Sequence, residues 1–499
     1  MEEKVVLSNK RNLGNKQMVV DCRFMVSNGN EIGKVLSVSA TPFVTNTDTY
    51  PSSIKYSGKV NFKLIYLTED GRVLSINNMT DFDDTIDVDN LTEDAFGMVH
   101  FKVVDVTTPS VKTNEVKVAC VMEASISVEG RNYFDNVSIE DGVFCKKGSM
   151  DNYELTCHFK DAFELNEEIR INGELNNVLT LDADLCVKDV YTGNGFVVVS
   201  GQIFCCVVYD TEEAVFRSYK QTIDFKQEIA IDEATIDSKV CMNLSLQHNL
   251  IKMSIVQEDG YNAINLELPI IAYGTVYNKN TIEVVEDVYS ESEIIDTKLK
   301  DLNIVEQVHS YCIEDYVREN VSIDEVEGAS LLGFSGANVV VSSCYIEGDK
   351  LNIEGVISGT VIFDTNSQIT SIIAEVPFII VNTKPEYSQL EDIDVLAGLC
   401  DFDVTIKSST QMELTAKLNF YVTGTRHRLI KAIDTIDIVA KRPERDCAIE
   451  IVITGEQRTL WELGKSLGVS AEQLLIQNPS LVEPISAGQK VIVYYPYSV

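Results

Sequence analysis

A chain of 499 residues has room for several domains, since single domains run to roughly 100–200 residues. Its 45% hydrophobic and 24% charged residues give the balance of a folded globular protein and exclude extended disorder. The 77 acidic against 41 basic residues leave a formal net charge of −36, a field that repels nucleic-acid phosphates and anionic lipid head groups, so neither is expected as a partner.

At the start of the chain, Met1-Glu2-Glu3-Lys4 opens no charged-then-apolar leader. No stretch reaches the roughly 18 uninterrupted apolar residues of a spanning helix, so membrane insertion is not expected and the chain is expected to stay where it is made. Twelve Cys stand at scattered spacings. Cys120, Cys186, Cys205 and Cys241 lie in apolar, strand-like runs, where a thiol acts as a small hydrophobe, so all twelve are expected to be unpaired. Cys157-His158 is the one Cys/His neighbour pair and has no CxxC partner, so no metal site is expected. Neither catalysis nor a cofactor is expected: the His at 100, 158, 248, 309 and 427 fall in no acid–base or nucleophile motif.

Strand signals fill the first 430 or so residues. Three related blocks follow one another. The first runs from Val35-Leu36-Ser37-Val38-Ser39-Ala40 through Gly58 to Leu64-Ile65-Tyr66. The second runs from Val178-Leu179-Thr180-Leu181-Asp182-Ala183 through Gly201 to Val207-Val208-Tyr209. The third runs from Leu331-Leu332-Gly333-Phe334-Ser335-Gly336 through Gly355 to Val361-Ile362-Phe363. The central glycine precedes the closing aromatic by eight positions each time, and a further aromatic follows about sixteen residues on, at Phe82, Phe225 and Phe378. Turns are expected at Pro51-Ser52-Ser53, Gly193-Asn194-Gly195 and Glu347-Gly348-Asp349. Each block thus reads as an antiparallel meander, with a glycine inside a strand marking a bulge or a close approach. A period near 150 residues is too long for a solenoid and points to tandem domains.

The opening Val-Leu-x-Val-x-Ala, the strand ending in Tyr66-Leu67-Thr68-Glu69-Asp70-Gly71, the closing strand at 118–128 and Val285-Glu286-Asp287-Val288-Tyr289-Ser290 together resemble the SPOCS domain of endospore-forming Clostridia. The third block departs most, with Phe363 for Tyr and no Asp-Gly turn after it. The expected fold is mostly β, with three tandem antiparallel, sandwich-like SPOCS domains before a small β-α-α-β domain. The expected divisions are an N-terminal strand region 1–30, domain 1 at 31–135, a linker 136–160, domain 2 at 161–298, domain 3 at 299–440 and a last module at 447–496.

After the charged link Arg442-Pro443-Glu444-Arg445-Asp446, Ile449–Thr454 reads as a strand. Leu460, Leu463 and Leu467, with the small Gly464, give one buried helix face, and Gly468 supplies a positive-φ cap. Ser470-Ala471-Glu472-Gln473 opens a second helix as a capping box, Leu474 and Leu475 are expected to point inward, and a strand Lys490–Tyr494 closes the unit.

Thr459-Leu460-Trp461-x-Leu463-Gly464, then Gly468-Val469-Ser470, then Leu474-Leu475-x-x-Asn478-Pro479-x-Leu481-x-x-Pro484-x-x-x-Gly488-Gln489-Lys490-Val491 closely resembles LysM. In that family a ligand lies in a groove between two loops. By position the resemblance places it at Arg458, Thr459 and Leu460 on one side, and at Asn478, Pro479, Leu481, Val482, Pro484 and Ile485 on the other. Loop shaping is the alternative role for Asn478, Pro484 and Gly488. LysM modules usually carry Gly-Asp before Thr-Leu; here Gln457-Arg458 alters the groove rim in shape and charge.

SPOCS repeats followed by LysM resemble the SipL-type spore morphogenesis family. The resemblance implies a non-enzymatic protein of the mother-cell cytoplasm, at the forespore surface and spore coat, that docks through LysM onto the coat basement-layer ATPase and works with other coat proteins. The alternative is a LysM protein that binds peptidoglycan, through N-acetylglucosamine, in the wall or cortex.

Overall fold

The structure, a computed structural model, describes residues 4–107, 109–112, 114–211, 216–258, 261–323, 329–365, 368–443 and 447–495. Met1–Glu3, Glu444–Asp446 of the expected link and Pro496 of the last module lie outside the described residues.

The chain is mostly β, and its paired strands run antiparallel in three successive units of one design. The first unit holds β1 (Lys4–Met25), β2 (Ile32–Tyr50), β3 (Ser53–Thr68), β4 (Val73–Asp87), β5 (Phe96–Val106), β6 (Ser110–Lys112) and β7 (Glu115–Asp135). The second holds β8 (Val143–Ile171), β9 (Asn177–Gly193), β10 (Phe196–Asp210), β11 (Phe216–Ala230), β12 (Lys239–Leu246), β13 (Lys252–Glu258) and β14 (Tyr261–Ser290). The third holds β15 (Glu293–Ser322), β16 (Ala329–Glu347), β17 (Lys350–Thr365), β18 (Gln368–Thr383), β19 (Glu391–Ser408) and β20 (Gln411–Lys441).

Each unit pairs a three-stranded meander with a second sheet. The meanders are β2-β3-β4, β9-β10-β11 and β16-β17-β18. In the second sheets the last long strand lies between the first and a shorter one: β1-β7-β5, β8-β14-β12 and β15-β20-β19. Each meander packs its alternate apolar residues onto its partner sheet, as Val60, Phe62 and Leu64 do against Cys120, Met122 and Ala124.

The repeated glycine and aromatic turn out to be one device. Gly58 pairs with Phe82, Gly201 with Phe225 and Gly355 with Phe378 across the strands. A Cβ on these glycines would lie 2.5, 2.7 and 2.5 Å from the phenylalanine ring and 2.3, 2.2 and 2.3 Å from a carbonyl of the other neighbouring strand. That neighbouring strand bulges at the same place each time, between Val44 and Asn46, Val187 and Asp189, and Val341 and Ser343. Bulge and close approach therefore occur together, because the ring covers the glycine and the backbone closes over its other side.

Four expectations are corrected here. The stretch 136–160 is not mainly a linker: β8 begins at Val143 and runs unbroken to Ile171. The N-terminal strand region is not separate, since β1 pairs along its length with β7, and the third unit begins at Glu293, in β15. Cys186 and Cys400 are not unpaired thiols but form a disulfide between the second and third units, with Cα atoms 6.1 Å apart.

The units close on one another around equivalent positions. Leu36, Leu179 and Leu332, with Ile65, Val208 and Ile362 and with Val73, Phe216 and Ile369, meet in one apolar cluster to which every unit contributes the same three positions. Polar contacts run round this centre. Lys63 donates to Asp182 at 2.8 Å, Lys220 to Asp403 at 2.6 Å, and the Ser371 hydroxyl to the Leu36 carbonyl at 2.5 Å.

Beyond the sandwiches, the long first and last strands continue as two-stranded ribbons. Val5, Leu7 and Phe134, Ile282 and Val284, and Leu302, Ile304, Ile430 and Ala432 bury their alternate side chains together. Fully buried Asn152 ties all three ribbons, donating to the Val6 carbonyl at 3.0 Å and accepting from the Val305 N–H at 3.2 Å.

Candidate functional site

The C-terminal unit is built from β21 (Ile449–Ile453), α1 (Leu460–Leu467), α2 (Ala471–Gln477) and β22 (Lys490–Tyr494), with the two strands paired. Thr459 caps α1 in a reciprocal box: its side chain accepts from the Glu462 N–H at 3.2 Å, and the Glu462 carboxylate accepts from the Thr459 N–H at 2.8 Å. Gly468 ends the helix at φ 62°, and Ser470 caps α2 by accepting from the Gln473 N–H at 3.0 Å. Leu463, Leu467, Val469, Leu474, Leu481, Ile485, Val491 and Val493 form the unit's own core. Leu474 is inward as expected, whereas Leu475 is exposed.

The nine expected groove positions lie in different surroundings. Leu481 and Ile485 are core residues, and buried Asn478 is a strut. Its amide donates to Leu474 O at 3.0 Å and Ile492 O at 2.6 Å, and its oxygen accepts from the Ile492 N–H at 2.8 Å, tying the end of α2 to β22. Arg458 and Ile485 bridge the two loops through backbone hydrogen bonds of 3.0 and 2.8 Å. Glu483, which the sequence did not single out, crosses between the loops, its carboxylate accepting from the Leu460 N–H at 2.7 Å. Thr459, Pro479, Pro484 and Val482, which is 74% exposed, remain on the surface. Leu460 is half-buried.

The opposite side of α1 docks on the second β unit. Trp461 donates its indole N–H to Asp287 at 2.8 Å and sets its ring edge-on to Tyr289, with centroids 4.7 Å apart. Lys465 donates to the other Asp287 oxygen at 2.5 Å, and the Tyr289 hydroxyl donates to the Val469 carbonyl at 2.9 Å. A Cβ on Gly464 would stand 2.7 Å from that hydroxyl, so glycine here admits Tyr289. Burial works against ionisation of Asp287, but the Lys465 and Trp461 hydrogen bonds more than offset it and hold the carboxyl below its usual range. Asp287 and Tyr289 belong to the Val285–Ser290 stretch noted in the sequence; their contact with α1 had no signal there.

Against known families, residues 31–118 and 174–254 match the family model described as SipL, SPOCS domain. In these two segments the chain is similar to SPOCS domains. Each begins just before a meander and ends in the neighbouring sheet, within β7 or β13. The match points to a spore-related protein. Comparison with curated proteins and with solved structures gives no match.

Where the first and second units touch, other conspicuous polar groups are in use. His158 of the Cys157-His158 pair stacks on Phe96, with centroids 4.7 Å apart, and bonds through Nδ1 to the Thr275 hydroxyl at 3.0 Å. Burial lowers its pKa to about 4, so the ring is neutral at pH 7. Thr275 in turn donates to buried Glu129 at 2.7 Å, and Lys10 lies between Glu129, at 3.9 Å, and Asp394 of the third unit. This charged cluster joins three units. Among the described residues no group of three or more His, Cys, Asp or Glu is arranged to hold a metal ion. No helix among them is long and apolar enough to cross a membrane.

Proposed function

We propose that the chain is a non-enzymatic spore-envelope morphogenesis protein of the mother-cell cytoplasm. Its C-terminal unit, read as a LysM module, docks the coat basement-layer ATPase at the forespore surface, while the three β units serve as a preassembled scaffold that meets other coat proteins. The observation that carries this reading is the state of the groove. Its two loops are bridged backbone to backbone, and Glu483 already occupies the Leu460 N–H. A sugar in such a groove depends on free backbone donors and acceptors. A protein partner needs an outward surface with an apolar anchor, which Val482, Pro479 and Pro484 supply beside Arg458. The similarity to SPOCS domains supports the spore setting.

The test is co-purification with the ATPase from sporulating cells, set beside retention on purified peptidoglycan. Truncation after Asp446 abolishes co-purification under this reading, and Arg458→Glu weakens it by about tenfold or more, the loss expected of a reversed charge in a contact. Undiminished co-purification of the truncated chain sinks the docking assignment. Retention on peptidoglycan that is lost with the same truncation replaces the ATPase reading with the glycan one.

A further inference from the structure

The outer faces of the three meanders offer a comparison inside one chain, because their registers coincide at the glycine–phenylalanine pairs. One step along from those pairs, the first unit sets Lys59 opposite Asp81 as an ion pair of 3.0 Å, and the second sets Gln202 opposite Asp224 with a hydrogen bond of 2.6 Å. The third unit has Val356 opposite Pro377 at that place. One step the other way, Ser57 faces Asp83 and Ser200 faces Lys226, but Glu354 faces Ile379, which is 68% exposed. A further two residues along the outer strand, Thr85 and Glu228 correspond to Val381, 51% exposed, while exposed Tyr345 of β16 has an exposed counterpart in Tyr191 of β9. Two units therefore present paired polar residues to water, and the third presents an apolar stripe of Pro377, Ile379 and Val381 along its outer strand.

Beside that stripe stands Glu354. Its carboxylate accepts from the Ser343 hydroxyl at 3.0 Å and the Tyr345 hydroxyl at 2.9 Å, both neutral donors. Among the described residues no Lys or Arg lies within ion-pair distance of it. Hydroxyls hold the carboxylate in place without neutralising it.

We infer that the outer face of the third meander is a docking surface for a different protein, one that presents a Lys or Arg side chain from within an apolar patch. Charge decides the occupant. A second copy would set one Glu354 against another in a desolvated contact, between chains of net charge −36 each. A cationic side chain entering beside Ile379 meets a carboxylate already oriented, and the apolar stripe excludes water from the pair. Pro377 lies on the outermost strand of the sheet, where its ring removes the N–H that an added strand would require, so the partner covers the face rather than extending the sheet. The inference stands apart from the C-terminal unit and survives or fails independently of what that unit binds.

The test uses the full chain in the cells that produce it, with the photo-crosslinking residue p-benzoylphenylalanine placed at 379, and at 83 and 226 as equivalent positions of the other units. The expected result is a crosslink from 379 alone, mapped by mass spectrometry to a segment of another protein with Lys or Arg among apolar residues. Glu354→Lys lowers its yield more than about tenfold, as like charges across a contact require, and Glu354→Gln lowers it less. Val381→Asp, placed at the rim, lowers it as well, and purified variants are first shown to keep the parent's melting temperature. A crosslink from 379 to a second copy of this chain overturns the proposal. So does one to a segment without basic residues, an equal yield from 83 or 226, indifference to Glu354→Lys, or no crosslink at 379.

Discussion

The β units and the C-terminal unit bury their apolar residues in different ways. The small unit closes its core entirely from its own residues, Leu463 through Val493, and meets the rest of the described chain through a patch around Trp461 and Asp287. Among the large units, the second and third borrow from one another, Tyr421 of the third sitting in the second's core and Phe204 and Cys206 of the second in the third's, while the first fills its main core with its own residues. The large units also share two further clusters to which all three contribute. The difference teaches that the repeats are one body despite their separate sheets, while the C-terminal unit is a module attached at one place.

Hydrogen exchange resolved by peptide tests that division. Phe225→Ala removes the ring that covers Gly201 and costs about 3–5 kcal/mol, the range for a buried Phe. Exchange should rise through β9–β11 and in the strands of the other units that pack on them, and stay unchanged in α1 and α2. A simultaneous rise in the helices would erase the distinction. Leu474→Ala, at a fully buried position of the small core, costs about 2–5 kcal/mol and should loosen 449–495 alone.

Asn152→Ala sharpens the other half of the comparison. It leaves the Val6 carbonyl and the Val305 N–H without their partner where three ribbons meet, at a cost of about 1–3 kcal/mol. Faster exchange should appear at the ribbon ends of all three units; a response confined to β8 would mean that the ribbons do not act together.

The smallest effect falls on the joint itself. Trp461 is the only tryptophan, so its emission reports the joint directly. Asp287→Asn removes the charge that Lys465 meets, and because the pair is partly exposed the loss is about 1 kcal/mol, with a shifted emission and an unaltered melting temperature of the β body. Since the Asp287 carboxyl is held below its usual range in the folded chain, its contribution is present above the ordinary value of about 4 and is lost as pH falls through the lowered folded value. Trp461 emission should therefore be level from neutral pH to about 4 and change only below it. In Asp287→Asn that acid step should vanish; an unaltered step would place its origin elsewhere.

Particular residues show how much was legible beforehand. Gly58, Gly201 and Gly355, with Phe82, Phe225 and Phe378, were visible as a spacing, because a close backbone approach tolerates no other residue and its cover must sit at a set distance along a hairpin. The caps at Gly468 and Ser470 were visible because they act within a few residues. The strand at 143–160 was not. Its Lys146-Lys147-Gly148-Ser149-Met150-Asp151-Asn152 run belongs to a ribbon wetted on much of its surface, so no alternation marks it. Of the expected groove positions, Asn478, Leu481 and Ile485 turn inward, a distinction that depends on which side of the loop faces the helices.

Sequence alone thus determined what is local and repeated: antiparallel hairpins, their turns, the glycine–aromatic spacing and the two helices with their caps. These follow from backbone sterics and from periods of two or 3.6 residues, which each segment carries in itself. Only the tertiary structure decided that the three units interlock around Leu36, Leu179 and Leu332, and that Asp287 receives Trp461 from 174 residues away. It also decided that one outer face of three, around Glu354 and Ile379, carries an apolar stripe. Such contacts arise between segments far apart along the chain, so no periodicity within either one records its partner.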